Sequence, residues 1–426
     1  MNETPLGERL HIGIFGKRNV GKSSLLNAIT GQDIATVSKV KGTTTDPVYK
    51  TMEILPIGPV VIIDTAGIDD SGELGTLRID KTREILRKTN VALLVVDAAE
   101  GLTDYDRELL QVFKESGIKY LVVGNKSDLN SNSNMAVLNS SDINIEADPV
   151  ANNDDGLPAD FSENTTDDVF PVSALTGENI YELKEKIAEL ANTISLSRRL
   201  VADIIDPGDT VVLVVPIDKA APKGRLILPQ QQAIRDILDI GATSIITRET
   251  ELADTLNKLK DKPKLVITDS QVFKCVKEIL PADVPLTSFS ILMARYKGVL
   301  DNAVNGAHAL DNINEGDKIL IAEGCTHHRQ CDDIGTVKLP AWIEDYTGVK
   351  PSYEFTAGGS YPEDLSGFEM IIHCGGCMLN DKEMQYRRGQ ALNDGIPMTN
   401  YGVIISYMQG ILDRSIAPIL DSGAEL

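Results

Sequence analysis

The sequence predicts an α/β chain of three domains, and three successive alternations of apolar strand runs with amphipathic helix runs predict it. In the first, HIGIF, PVVIID, VALLVVD and KYLVVGN have strand length, while KSSLLNAIT and TLRIDKTREILRKT carry helical spacing. No Lys or Arg falls between Lys126 and Lys184, and the Asn, Ser and carboxylate residues around 130–168 read as an exposed, disordered insertion. The pattern resumes at VFPVSAL, and the helix NIYELKEKIAELANTI closes a first domain over residues 1–198.

The second alternation, residues 199–290, places strands at DTVVLVVPI, TSIITR, KLVITD and DVPLTSF and helices at QQQAIRDILDIG, ELADTLNKLKD and QVFKCVKEIL. It holds no catalytic constellation, and Cys275 falls at a helical core position, so a small parallel-sheet domain with a structural or association role is expected. The third, residues 291–426, offers strands KILIAEG, FEMIIHC and YGVIISY, separated by helical or irregular segments such as LPAWIEDYTG and KEMQYRRGQALNDG.

Composition narrows the function. A chain of 426 residues buries adequate cores without disulfides. Its formal net charge of -22 argues against nucleic acid as a partner, because phosphate-backbone affinity rests on clustered Lys and Arg. No apolar run approaches the roughly 18 residues of a membrane span. The cysteines are Cys275, Cys325, Cys331, Cys374 and Cys377, and MNETPLGERL carries no signal-peptide pattern. A cytoplasmic protein with a metal or redox site is therefore expected rather than a disulfide framework.

After HIGIF comes GKRNVGKS, which fits the GxxxxGK[ST] phosphate loop and leads into a helix, the setting that motif requires. The backbone of Gly16, Asn19, Val20 and Gly21 wraps the phosphates, with Ser24 following. Lys22 reaches the β and γ phosphates and Ser23 ligates Mg²⁺. DTAG ends the strand PVVIID; Asp64 holds Mg²⁺ through water and the Gly67 N–H senses the γ phosphate. In NKSD, Asn125, Lys126 and Asp128 follow the strand KYLVVG, and the Asp128 carboxylate accepts from the guanine N–H groups, which selects GTP. Ser173 and Ala174 of SAL back the base. Four motifs in order, each at a strand end, make a P-loop GTPase domain.

This set resembles the translation-factor-like GTPases, most closely the TrmE and Era branch. The resemblance implies that KGTTTDPV is the first switch, with Thr44 as the Mg²⁺ ligand ahead of Thr43, and that Asn19 helps hold an activating K⁺. Two positions depart from the wider pattern. Ile68 stands where Ras-like enzymes carry a water-orienting Gln, so intrinsic hydrolysis is expected to be slow. Leu175 stands where the motif usually has Lys, which removes a stacking contact on the base.

A second chemistry lies at two later strand ends. KILIAEG runs into CTHH and FEMIIHC runs into GGC, presenting Cys325-x-His327 and His373-Cys374-x-x-Cys377, with 45 residues between His327 and His373. If these strands are neighbours, the five groups converge, because the carboxyl ends of parallel strands form the ligand crevice. Residue types alone leave open a zinc site, an iron-sulfur site, a redox pair and core histidines. The full arrangement resembles the HydF family, GTPase scaffolds for [FeFe]-hydrogenase maturation.

That resemblance implies a C-terminal domain whose Cys325, Cys374 and Cys377 hold a [4Fe-4S] cluster, with His373 or His327 as candidates at the fourth iron. It implies a diiron precursor, made with two radical-SAM maturases and passed to apo-[FeFe]-hydrogenase, and a homodimer formed through the middle domain. Cys331 falls outside the matching pattern and reads as a spare thiol. The competing expectation is a TrmE-like or Era-like RNA factor holding structural zinc, against which the lack of a basic C-terminal module counts.

Overall fold

The computed structural model describes residues 6–31, 48–65, 82–129, 169–194, 199–217, 226–324, 333–358 and 360–423. The chain packs as two compact units, Met1–Leu196 and Ser197–Leu426.

The first unit runs β1 (Leu10–Phe15), α1 (Lys22–Thr30), β2 (Val48–Ile54), β3 (Gly58–Asp64), β4 (Val91–Asp97), α2 (Asp104–Glu115), β5 (Lys119–Asn125), β6 (Val169–Pro171) and α3 (Ile180–Ile194). One sheet results, in the order β2-β3-β1-β4-β5-β6. Helices α1 and α3 place Leu25, Ile29, Leu183 and Ile187 against one face, and α2 places Leu109 and Phe113 against the other. Val91 to Val96 of β4 are therefore buried on both faces, which explains a continuous apolar run where a half-exposed strand would alternate.

The expected parallel sheet is found except at one edge, where β2 pairs antiparallel with β3. Only Leu55, Pro56 and Ile57 join these two strands, and a parallel crossover needs a far longer connection. The sequence reading placed no strand at VYKTMEI, because that segment lies at the edge and lacks the continuous apolar run of its neighbours.

The second unit holds two four-stranded parallel sheets. The first has β7 (Thr210–Val214), α4 (Leu228–Asp239), β8 (Thr243–Thr247), α5 (Leu252–Lys258), β9 (Leu265–Thr268), α6 (Phe273–Ile279) and β10 (Leu286–Ser288), in the order β10-β9-β7-β8. Helices α7 (Phe289–Tyr296) and α8 (Leu300–Ala307) lead on to the next. There follow β11 (Lys318–Glu323), α9 (Leu339–Thr347), β12 (Ser352–Ala357), β13 (Met370–His373), α10 (Asp381–Asn393), β14 (Met398–Asn400), α11 (Tyr401–Met408) and α12 (Leu412–Leu420). This sheet has the order β12-β11-β13-β14.

Two expectations are corrected here, and one strand is added. YGVIISY is the helix α11, not a strand. Its residues Tyr401 to Ser406 are all buried, so no polar face marks a helical period, and the Asn400 side chain caps it by accepting from the Val403 N–H at 2.8 Å. The edge strand SYEFTA (β12) went unread. Cys275 lies exposed on α6, whose buried face is formed by Phe273 and Val276.

Helix α7 follows β10 directly and packs both on α4 of its own sheet and on α11 and β14 of the later one. Ser290 takes the Gly402 N–H on its hydroxyl at 3.1 Å and the Asn400 Nδ2 on its carbonyl at 2.9 Å. At the other end, buried Lys297 pairs with Asp381 at 2.8 Å, and Gln385 Nε2 donates to the Lys297 carbonyl at 2.7 Å. Asn400 thus serves both α11 and α7. Asn400→Ala is expected to cost about 2 kcal/mol, the sum of a lost cap and an orphaned buried carbonyl, seen as a lower urea midpoint for this unit.

Candidate functional site

In the first unit the phosphate loop follows β1. Gly16 has φ 132°, and a Cβ there would lie 2.1 Å from the Val95 carbonyl oxygen, so no other residue fits. Asn19 is also left-handed (φ 66°) and is exposed; Ser23 and Ser24, in the first turn of α1, are exposed too. Lys22 is buried along its stem, and its ammonium donates to the carbonyls of Gly16 and, at 2.9 Å, Lys17.

Asn125 joins three of the motifs. Its Nδ2 donates to the Val20 carbonyl at 2.9 Å and its Oδ1 accepts from the Ala174 N–H at 3.0 Å, so the phosphate loop and the base-side loops share one buried amide. Ser173, fully buried, donates from its hydroxyl to Asp128 Oδ1 at 2.6 Å and fixes that carboxylate's orientation. Lys126, with φ 65°, pairs with Asp97 at 2.7 Å. Burial alone would raise the Asp97 carboxyl; Lys126 and the Ala99 N–H outweigh it and hold the group below its usual range. Asp97 was missed from sequence, since its role depends on β4 lying beside β5. Asp64 ends β3 as expected, and next to it the Thr65 hydroxyl donates to the Ile14 carbonyl at 2.6 Å. Thr43, Thr44, Gly67 and Ile68 lie outside the described residues, as does the interval 130–168. Leu175 is 85% exposed.

In the second unit the condition set by the sequence is met: β11 and β13 are neighbours, with Ala322 beside His373. Cys325, His327, His328 and Cys331 lie outside the described residues. Gly324, the residue before Cys325, donates its N–H to Cys374 Sγ at 3.0 Å, and Gly376 donates to the same sulfur at 3.4 Å. The tight turn between the two cysteines needs Gly376 at φ 63°. Burial pushes the Cys374 thiol up, and the two N–H donors pull the other way, since they favour charge on sulfur. Cys377 is half-buried against the core.

His373 closes β13. It is fully buried, its Nδ1 hydrogen-bonds the Cys374 carbonyl at 2.8 Å and its Nε2 meets Arg387 Nη1 at 3.0 Å, so both ring nitrogens are in use. Burial first, and the Arg387 charge second, push its pKa down to about 3. The sequence also missed Glu323, buried and accepting from the Tyr401 hydroxyl at 3.3 Å. Burial, then the nearby Cys374 and Glu323, lift the Tyr401 phenol well above its ordinary value, which keeps it a donor. Among the described residues no three His, Cys, Asp or Glu side chains gather as a metal site.

The donor chemistry fits an iron-sulfur cluster. Backbone N–H groups aimed at a cysteine sulfur, on a Gly-Gly turn beside a second strand end that leads into Cys325, are surroundings that suit thiolate ligands of a cluster, as they would those of zinc.

Comparison with known families covers most of the chain. A model described as a 50S ribosome-binding GTPase matches residues 11–126. The hydrogen maturase F dimerization domain matches residues 200–298, and the hydrogen maturase F tetramerization domain matches residues 301–418. The chain belongs to the hydrogen maturase F family. Its three α/β parts are those expected, a P-loop GTPase domain, a parallel-sheet middle domain and a C-terminal domain. The sequence reading foresaw a dimer; the family's description of the last part adds tetramerization.

This hydrogen maturase F chain is 30% identical over 231 residues to the tRNA modification GTPase MnmE of Streptococcus pyogenes, covering 50% of the chain and 44% of the relative. The match thus spans less than half the length of these curated relatives. Among solved structures, Era from Aquifex aeolicus is similar over 63% of this chain and 97% of its own, at 21% identity and a TM-score of 0.33. The elongation factor SelB from Methanococcus maripaludis is similar over 47% of this chain and 36% of its own, at 21% identity and a TM-score of 0.32. Among the described residues no helix is long and apolar enough to cross a membrane.

Proposed function

We propose that the chain is a cytoplasmic, GTP-hydrolysing carrier that holds a [4Fe-4S] cluster and delivers a diiron precursor to apo-[FeFe]-hydrogenase. The observation that carries this reading is the cysteine turn: Cys374 receives an N–H from the end of the neighbouring strand, one residue before Cys325. The family match over both C-terminal parts supports it.

The division of labour follows the proposed domains, residues 1–198 for GTP, 199–290 for the homodimer and 291–426 for the cluster. In the first, Lys22, with the backbone of Gly16, Asn19, Val20 and Gly21, binds the phosphates; Ser23, Thr44 and Asp64 hold Mg²⁺, which neutralises charge on the transferring phosphoryl group; Asn19 offers a place for K⁺. Asp128 reads guanine while Asn125, Lys126, Ser173 and Ala174 shape its loop, and the Gly67 N–H registers the γ phosphate. Loss of the γ phosphate on hydrolysis then changes which partner the carrier meets, the two radical-SAM maturases or the hydrogenase. In the third domain Cys325, Cys374 and Cys377 would hold the cluster, which when bound would supply iron for the cargo to attach to. His373 and His327 are the candidate histidines at the fourth iron.

Anaerobic reconstitution with iron and sulfide tests this reading. About four irons and as many sulfides per chain are expected, with an iron-sulfur absorption band. One tightly bound zinc and no sulfide would instead support the second reading, a relative of the tRNA-modification GTPases with a structural zinc site, which the 30% identity to MnmE favours.

A further inference from the structure

We propose that Arg387 is a positioning residue for the cysteine turn: it holds His373 as a brace for the Cys374 backbone and withholds its nitrogen from metal. The proposal rests on the reading of the cysteines as cluster ligands, although its first test does not.

Arg387 lies on α10 with 1% of its side chain exposed. Its Nε and Nη2 both stand 2.9 Å from Glu383 Oε1, one helical turn earlier. Its Nη2 also donates to the Gly358 carbonyl at 2.8 Å, just past β12, and its guanidinium lies 4.7 Å over the Tyr361 ring. Its Nη1 meets His373 Nε2 at 3.0 Å. One side chain thus ties α10, the end of β12 and the end of β13.

The partners settle the imidazole tautomer. A guanidinium has donors only, so Nε2 must accept; a backbone carbonyl accepts only, so Nδ1 must carry the proton that it gives to Cys374. The single lone pair of the neutral ring is spent on Arg387. The Nδ1–H in turn pins the Cys374 carbonyl, the first peptide of the turn whose Gly376 N–H points at the sulfur. In metal sites a group that orients a ligand in this manner sets affinity by 10- to 100-fold.

Two measurements test the proposal. In cluster-free protein labelled with 15N-histidine, the signals lost in His373→Gln should report an Nδ1–H tautomer. An Nε2–H tautomer overturns the proposal. In reduced, reconstituted protein, pulsed paramagnetic resonance should find no nitrogen coupling that depends on His373. The double variant Arg387→Met with Glu383→Met removes the buried charges together, and it should either gain that coupling or load severalfold less iron and sulfide while circular dichroism and GTP hydrolysis stay unchanged.

A wild-type coupling abolished by His373→Gln would overturn the proposal, as would a double variant that loads fully with an unaltered spectrum. Should the double variant fail to fold, Arg387→Lys keeps the charge beside Glu383 without the fork. It must release the tautomer, and wild-type behaviour in it overturns the proposal. Wild type that forms no cluster refutes the carrier reading and leaves the tautomer result standing.

Discussion

Asp128→Asn is expected to weaken GTP binding by on the order of a hundredfold to a thousandfold and to strengthen binding of xanthosine triphosphate. A carboxylate accepts from both the ring N–H and the exocyclic amine of guanine, each a charge-assisted bond of about 1.5–3 kcal/mol. The amide keeps the shape but turns one acceptor into a donor, which faces a donor on guanine and an acceptor on xanthine. Ser173 still finds an oxygen, since its hydroxyl reaches only Oδ1, so the loop should hold. Equilibrium titration with fluorescent forms of both nucleotides distinguishes the outcomes. Equal loss for the two would mean that the loop had collapsed and that Asp128 does not select the base.

Cys374→Ser should reduce iron and sulfide loading at least tenfold, the scale set by losing a metal ligand or its orienting partners. Serine is a harder and far less acidic ligand than thiolate, and its oxygen sits closer to Cβ than sulfur does, so the Gly324 and Gly376 N–H groups no longer meet it at their present 3.0 and 3.4 Å. The substitution is small and the site half-buried, so folding should change by less than about 1 kcal/mol. Cys275→Ser supplies the internal control, because Cys275 stands exposed on α6 and should load as wild type does. Elemental analysis after anaerobic reconstitution measures all three proteins. Full loading of Cys374→Ser would remove this cysteine from the site.

How much of this was legible in the sequence depended on where the chemistry lay. The nucleotide motifs could be read because each sits in one contiguous loop, and Asn125 adds only the knowledge that one amide links them. The pairing of the two cysteine-bearing strand ends was stated as a condition, and β11 beside β13 met it. Helix α11 was misread because periodicity requires a polar face and YGVIIS has none. Strand β12 was passed over as an edge segment of mixed polarity. Arg387 could not be found at all: its partners Gly358, His373 and Glu383 come from three elements, and an arginine in KEMQYRRGQALNDG reads as one more solvated charge. The bond from Arg387 to His373 was hidden with it, since only the fold brings the guanidinium to the imidazole.

The placement of α7 bears on how such a chain can be recombined. By sequence this helix ends the 200–298 segment, yet Ser290 and Lys297 clasp Asn400, Gly402, Asp381 and Gln385 of the 301–418 segment. A chimera spliced at residue 299 from two parents would therefore seat a foreign helix behind the cysteine turn. Arg295 of the same helix also pairs with Asp203, so the two segments should be inherited as a pair, with the crossover before residue 200.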